Sequence, residues 1–205
     1  MNMYRIDLLR HGETELSHTL RGSTDDTLTN SGWQQMRHTV DQSLKNHAPI
    51  QPWDVVFSSP LQRCALFADE IATSLNLELI LNHNLQEMHF GDWEAVSTQE
   101  IYEKQPALLA QFWEKPTQFS PPNAESVQQF QQRILNALQQ IQGFMQQNNY
   151  AHTMVITHGG VIKLLKCLAM QQPLDDILKM SAELGQFNHF ILHEDLSIEY
   201  VEQSA

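Results

Sequence analysis

Arg10, His11 and Gly12 stand together where an apolar, strand-like start gives out, and Glu13-Thr14 follow at once. A guanidinium supplies a fixed positive charge, an imidazole supplies a nitrogen nucleophile, and a glycine lets the backbone approach an anion closely. Those are the parts needed to take a phosphoryl group onto histidine. A strand capped by a surface Arg-His pair is the structural alternative for this segment taken alone. Two later segments repeat the arrangement. Ser58-Ser59-Pro60-Leu61-Gln62-Arg63 follows a second short apolar run, and Thr157-His158-Gly159-Gly160 follows a third. Glu87 adds a carboxyl group in the aromatic-rich stretch Leu85-Gln86-Glu87-Met88-His89-Phe90-Gly91-Asp92-Trp93-Glu94.

The elements that must position these residues alternate between short strands and helices. Tyr4–Leu9, Asp54–Ser58 and Thr153–Thr157 read as strands. Helices are predicted over Ser31–Lys45, Leu61–Leu75 and Ser126–Gln147, and another follows His158. In the third, Val127, Phe130, Ile134, Leu138, Ile141 and Met145 recur at steps of three and four, which makes a core-facing stripe. Its glutamines at 128, 129, 131, 132, 139, 140, 142, 146 and 147 form the wet face. Ser97 with Glu100 suggests a capping box for a short helix ending before Pro106. Phe187–Leu192 and Leu196–Val201 suggest a hairpin. The pattern implies an α/β three-layer sandwich, with a mostly parallel central sheet and helices on both faces, in one domain over residues 1–205. The proline-containing segment Thr117–Ser126 resists it and is expected to be an excursion over the sheet and over the active site. In such a sheet ligands sit beyond the carboxyl ends of the strands, which is where Arg10-His11, Arg63 and His158 are placed. Any helix starting at Gly159 also offers free N–H groups to an anion.

Composition narrows the partners. A net charge of −12 argues against nucleic acid and against an anionic membrane surface. It also means that a phosphate pocket must draw locally on the 12 lysines and arginines. No stretch approaches a membrane span; the richest, Val161–Met170, is broken by Lys163 and Lys166. No secretory leader is read at the N-terminus, and Cys64 and Cys167 are too few for a disulfide framework, so a cytoplasmic protein is expected. Cys64 reads as a buried helical cysteine. The other histidines lack ligand spacing, so no metal site and no cofactor are expected.

Taken together, Arg10-His11-Gly12-Glu13-Thr14, Ser58-Ser59-Pro60-Leu61-Gln62-Arg63, Leu85-x-Glu87-x-x-Phe90-Gly91-x-Trp93-Glu94 and Thr157-His158-Gly159-Gly160 resemble the histidine phosphatase superfamily, phosphoglycerate-mutase-like branch. The motifs run in family order from residue 8 to 160, and Gly22, Asp25, Leu28-Thr29 and Gly32 also fit. The resemblance implies that His11 attacks phosphorus and becomes phosphohistidine. It implies that Arg10, Arg63 and His158 bind phosphoryl oxygens, and that Glu87 protonates the leaving oxygen and later activates water. Ser17 and Arg21 stand where the family often has asparagine and glutamine, Ser17 as a shorter phosphate donor and Arg21, beside Gly22, as an added cation at the substrate pocket. Leu16, Thr27, Ala95 and Ala124 are further departures, none of which removes a group the mechanism needs. Two guanidinium groups disfavour protonation of His11 while a bound dianion favours it, so the sequence leaves its net charge open.

The mutases of this branch carry a longer basic segment between the acid and the second histidine. Here residues 97–126 offer only Lys104 and Lys115, which favours a phosphatase acting on a small phosphorylated metabolite. α-Ribazole 5′-phosphate, an intermediate of cobalamin assembly, is one such substrate, with Phe90, Trp93 and Trp113 as a flat wall for its base. Sugar phosphates and phosphoglycerate are the alternatives, and a non-catalytic phospho-ligand module is the contrasting class. Both a monomer and a homodimer are open.

Overall fold

The computed structural model describes residues 3–202. Period-two alternation builds its sheet. In β1 (Met3–Arg10) Tyr4, Ile6 and Leu8 enter one apolar core, while Leu9 enters a second on the opposite face. β2 (Val55–Ser58) and β4 (His152–Thr157) alternate in the same way: Val55, Phe57 and Val155 join the first core, and Val56, Met154 and Ile156 the second. A strand with apolar residues on both faces needs cover on both. Helices α1 (Asn30–His47) and α2 (Gln62–Leu75) close the second face with Met36, Val40, Phe67 and Ile71. Helices α5 (Val127–Asn148) and α6 (Gly159–Ala169) close the first, and the full stripe from Val127 to Met145 is buried. Each such side chain contributes about 1.5–3 kcal/mol on leaving water.

With β3 (Glu78–Leu81), β5 (Phe187–His193) and β6 (Ile198–Val201), the sheet runs β3-β2-β4-β1-β5-β6. The β3·β2, β2·β4 and β4·β1 pairs are parallel, and β5 and β6 add antiparallel. This is the expected α/β sandwich. Register sets Arg10 opposite Thr157 and Ser58 opposite Ile156, so the carboxyl ends of β1, β4 and β2 lie level. The hairpin at the end is present as β5 and β6. Residues 1–2 and 203–205 of the expected domain lie outside the described residues.

Four local features differ from the sequence reading. Strand β3 has no strong sequence signal, because as an edge strand it is only half covered. Pro106 starts helix α4 (Pro106–Glu114) rather than merely ending α3 (Thr98–Lys104); its missing N–H costs nothing at a first helical position. Ser97 does accept from the Glu100 N–H, but the Glu100 carboxylate pairs with Lys104 at 2.6 Å, so only half of the expected capping box forms. The full box is at Ser126 and Gln129. Finally, Thr117–Ser126 packs on the 89–92 loop, where Asp92 N–H donates to Pro122 O at 2.9 Å and Glu125 N–H to His89 O at 3.0 Å. It does not line the cavity at His11, where α3 and α4 do, but Asn123, Ala124 and Glu125 share a neighbouring hollow with Glu87.

Candidate active site

His11 leaves β1 with its N–H donating to Thr157 O at 3.0 Å, which ties the loop to β4. The Gly12 carbonyl, 2.8 Å from His11 Nδ1, can only accept, so Nδ1 carries the proton and Nε2 keeps its lone pair. Gly12 is required by close approach: a Cβ there would fall 2.1 Å from Gly32 O at the start of α1. Burial, then Arg63, Arg10 and Arg21, push the His11 pKa well below its ordinary value against the opposing pull of the Gly12 carbonyl. The imidazole is therefore neutral.

A cavity of about 360 Å³ opens at this ring, lined among others by Arg10, His11, Ser17, Arg21, Glu87, Gly160 and Lys163. Arg10 Nη1 donates to Ala182 O, while Arg10 Nε is buried without a partner, alone in this among the described residues. An orphaned guanidinium N–H beside a histidine suits an anion. Glu87 sits at the start of α6: Oε2 accepts from Gly160 N–H at 2.9 Å, and Oε1 accepts from the adjacent Met88 N–H at 2.9 Å. Arg21 is held by Asp26 at 3.0 Å, and Ser17 Oγ accepts from Thr14 N–H at 2.9 Å. Leu109, Phe112 and Trp113 of α4 and Phe90 supply an apolar wall. A hollow of about 600 Å³ along β5 and β6, lined by Lys166, Asn188 and Tyr200 among others, contains none of the catalytic candidates.

Three expected site residues are not on this lining. Arg63 is fully buried, and its N–H groups are all engaged. Nε donates to His158 Nδ1 at 3.3 Å, Nη1 to Thr24 O at 2.6 Å and Asp26 Oδ1 at 3.2 Å, and Nη2 to Gly22 O at 2.9 Å and Arg21 O at 3.4 Å. His158 is fully buried beside His11, with ring centroids 5.3 Å apart, and its Nε2 lies 2.7 Å from Ser59 Oγ. Because Arg63 Nε only donates, His158 holds its proton on Nε2, the opposite tautomer to His11. Burial and then Arg63 push its pKa down as well. The Gly22 N–H donates to both oxygens of Glu94 at 3.1 Å, and its carbonyl serves Arg63, so it belongs to the scaffold. Trp93 is also corrected: it is core, edge-on to Phe112, and only Phe90 and Trp113 of the expected aromatic wall reach the cavity. Cys64 is buried as expected, its thiol pushed up to about 12 by burial.

Sequence reading missed the supports. Glu94 accepts from the N–H groups of Gly22, Ser23, Thr24 and Phe90, pinning the loop whose carbonyls hold Arg63. Burial raises the Glu94 pKa, but the hydrogen bonds of Thr24, Phe90 and Ser23 outweigh it and lower it. Arg133 of α5 donates to the carbonyls of Asn84 and Gln86 at 2.9 Å and of Glu87 at 3.1 Å, which fixes the acid's backbone. Lys163 also went unnoticed as a site residue. Its available signal was its place one turn after Gly159-Gly160. No group of His, Cys, Asp and Glu among the described residues is arranged to hold a metal ion.

A neutral imidazole with a free nitrogen, an unpartnered guanidinium edge and a carboxyl group around one cavity define an α/β enzyme of the phosphatase type. Residues 6–198 match the family model of the histidine phosphatase superfamily (branch 1), and the chain belongs to that superfamily. It is 27% identical to phosphoserine phosphatase 1 of Hydrogenobacter thermophilus over 94% of this chain and 88% of that protein. It is 30% identical to a bifunctional protein of Mycobacterium tuberculosis over 90% of this chain, and spans about half, 49%, of that longer relative. The fold is also that of the α-ribazole phosphatase from Shigella flexneri, with a TM-score of 0.80 at 21% identity over 98% of this chain and 96% of that one.

Proposed function

We propose that this chain hydrolyses phosphomonoesters of small metabolites through a phosphohistidine on His11. The observation that carries the reading is the Nδ1–H bond to Gly12 O, which leaves Nε2 as a nucleophile in the cavity that also holds Glu87. Nε2 forms a bond to phosphorus as the ester P–O bond breaks, and Glu87 gives its proton to the departing alcohol. In the second half, Glu87 takes a proton from water, the water oxygen attacks phosphorus, and the P–N bond breaks to release inorganic phosphate. Arg10, Arg21 and Ser17 meet the phosphoryl oxygens from the cavity side. His158 and Arg63 approach from the buried side, Arg63 exchanging a loop carbonyl for a phosphoryl oxygen, since a charge-assisted bond is the stronger.

Within this class α-ribazole 5′-phosphate is supported by Phe90, Phe112 and Trp113 at the cavity and by the named structural neighbour. Acid-quenched reaction with a labelled phosphomonoester tests the chemistry. An acid-labile phosphate on His11 that is absent from His11→Ala is expected. Turnover without any such label would overturn the phosphohistidine route, and binding without label or turnover would identify a phospho-ligand module instead.

A further inference from the structure

Lys163 is a cation on the cavity lining that forms no ion pair among the described residues, and unlike Arg10 it lies away from the nucleophile in the chain. It lies one turn into α6 beyond Gly160, half-buried, on the lining shared with His11 and Glu87. The other cations there are already committed, since Arg21 pairs with Asp26 and Arg10 offers Nε beside the nucleophile. Among the described residues Lys163 has no ion pair or hydrogen bond. Burial and then Arg10 lower its pKa, with Glu87 and Glu183 opposing, so the ammonium stands near the acid yet unpaired. An ammonium held half out of water without a partner loses solvation that an incoming anion restores.

Its position says which anion. The transferring phosphoryl group must lie at His11, with Glu87 at the leaving oxygen. Glu87 is bound to Gly160 N–H, and Lys163 extends from the same helix one turn later, so it stands on the leaving-group side. The apolar wall of Leu109, Phe112 and Trp113 faces the same space. We infer that Lys163 is a specificity-determining residue, pairing with a second negative charge carried on the alcohol portion of the phosphomonoester, a carboxylate or a further phosphate. This rests on the phosphomonoesterase reading and narrows it to acidic alcohols. An uncharged alcohol, α-ribazole included, would meet the aromatic wall without this contact.

A matched pair of esters tests the inference: 3-phosphooxypropanoate, whose alcohol carries a carboxylate, and propyl phosphate, whose alcohol does not. The wild-type protein is expected to favour the acidic ester in kcat/KM. Lys163→Gln should reduce that preference about tenfold or more, chiefly through KM, and Lys163→Arg should retain it. An unchanged ratio in Lys163→Gln would overturn the inference, and if that ratio is kept while both esters are hydrolysed equally more slowly, Lys163 belongs with the transferring phosphoryl group. Labelling of His11 is measured on the same samples. If His11 is labelled and the ratio does not move, the inference alone fails; if no label forms despite turnover, the parent reading fails too.

Discussion

One backbone carbonyl sets the tautomer of His11. Gly12 O fixes the proton on Nδ1, and the surrounding burial and guanidinium charge keep the ring neutral. Nitrogen NMR of His11 should therefore show a neutral, Nδ1-protonated ring with no titration between about pH 6 and 8; a midpoint near 6.5 would contradict the buried electrostatics. His11→Ala should lower kcat by about a thousandfold or more while leaving the circular dichroism spectrum intact. Glu87→Gln would remove the proton proposed for the leaving oxygen. It should slow alkyl phosphates at least about a hundredfold and activated aryl phosphates far less. Equal losses would assign Glu87 to binding. At this scale the sequence was most informative: Arg10, His11, Ser17, Arg21 and Glu87 do share one cavity. Arg63 and His158 are turned into protein, because a side chain just past a strand end or in the first turn of the following helix can face solvent or interior, and packing decides which.

Helix starts place the chemistry, and two glycines show how. At Gly12 an added Cβ would meet the backbone oxygen of Gly32 at 2.1 Å, which cannot move without shifting α1. Gly12→Ala should cost about 1–3 kcal/mol of stability, measured by denaturant unfolding. At Gly160 the added Cβ would meet Glu87 Oε1 at 2.1 Å, the end of a flexible side chain. Gly160→Ala should instead leave stability nearly intact and reproduce the leaving-group sensitivity of Glu87→Gln. A Gly160→Ala variant with wild-type kcat on alkyl phosphates would show that Glu87 does not need its seat on α6. The motif displays both glycines in the sequence, but only the tertiary structure separates a backbone clash from a displaced acid. Arg133 illustrates the opposite limit: it is an ordinary arginine on a glutamine-rich helix until the 84–87 loop arrives beneath it.

At the scale of the whole molecule, two buried histidines and one buried carboxylate make stability fall on the acid side. His11 and His158 have depressed pKa values when folded, so below about pH 6.5 the unfolded chain binds protons that the native state refuses, and stability falls. Asp7 lies buried in β1 with His152 Nε2 at 2.7 Å, His189 Nδ1 at 2.5 Å and Trp53 Nε1 at 2.9 Å. Burial raises its pKa, but the His152 and His189 hydrogen bonds more than reverse this, holding it far below the carboxylate range. Its contribution is complete above about pH 4 and is lost as acid protonates it. Tm should therefore fall on acidification from about pH 6.5 and more steeply below about pH 4. A flat Tm from about pH 7 to 5 would show that the histidines are not held neutral.

The sequence by itself determined the class of chemistry and the fold. Reactive residue types at fixed offsets from apolar runs survive any packing detail, and period-two and helical periodicities dictate which faces must be covered. Its motifs alone single out Arg10, His11, Arg63, Glu87 and His158. The tertiary structure decided the tautomers, the partners and the lining. It set Arg63 against the 21–26 loop, committed Trp93 to the core, packed the 117–126 segment away from His11, and left Lys163 on the cavity lining without an ion pair among the described residues. Each of these depends on contacts between segments tens of residues apart. Local sequence cannot encode such a contact, because it exists only once the sheet has brought β1, β2 and β4 level.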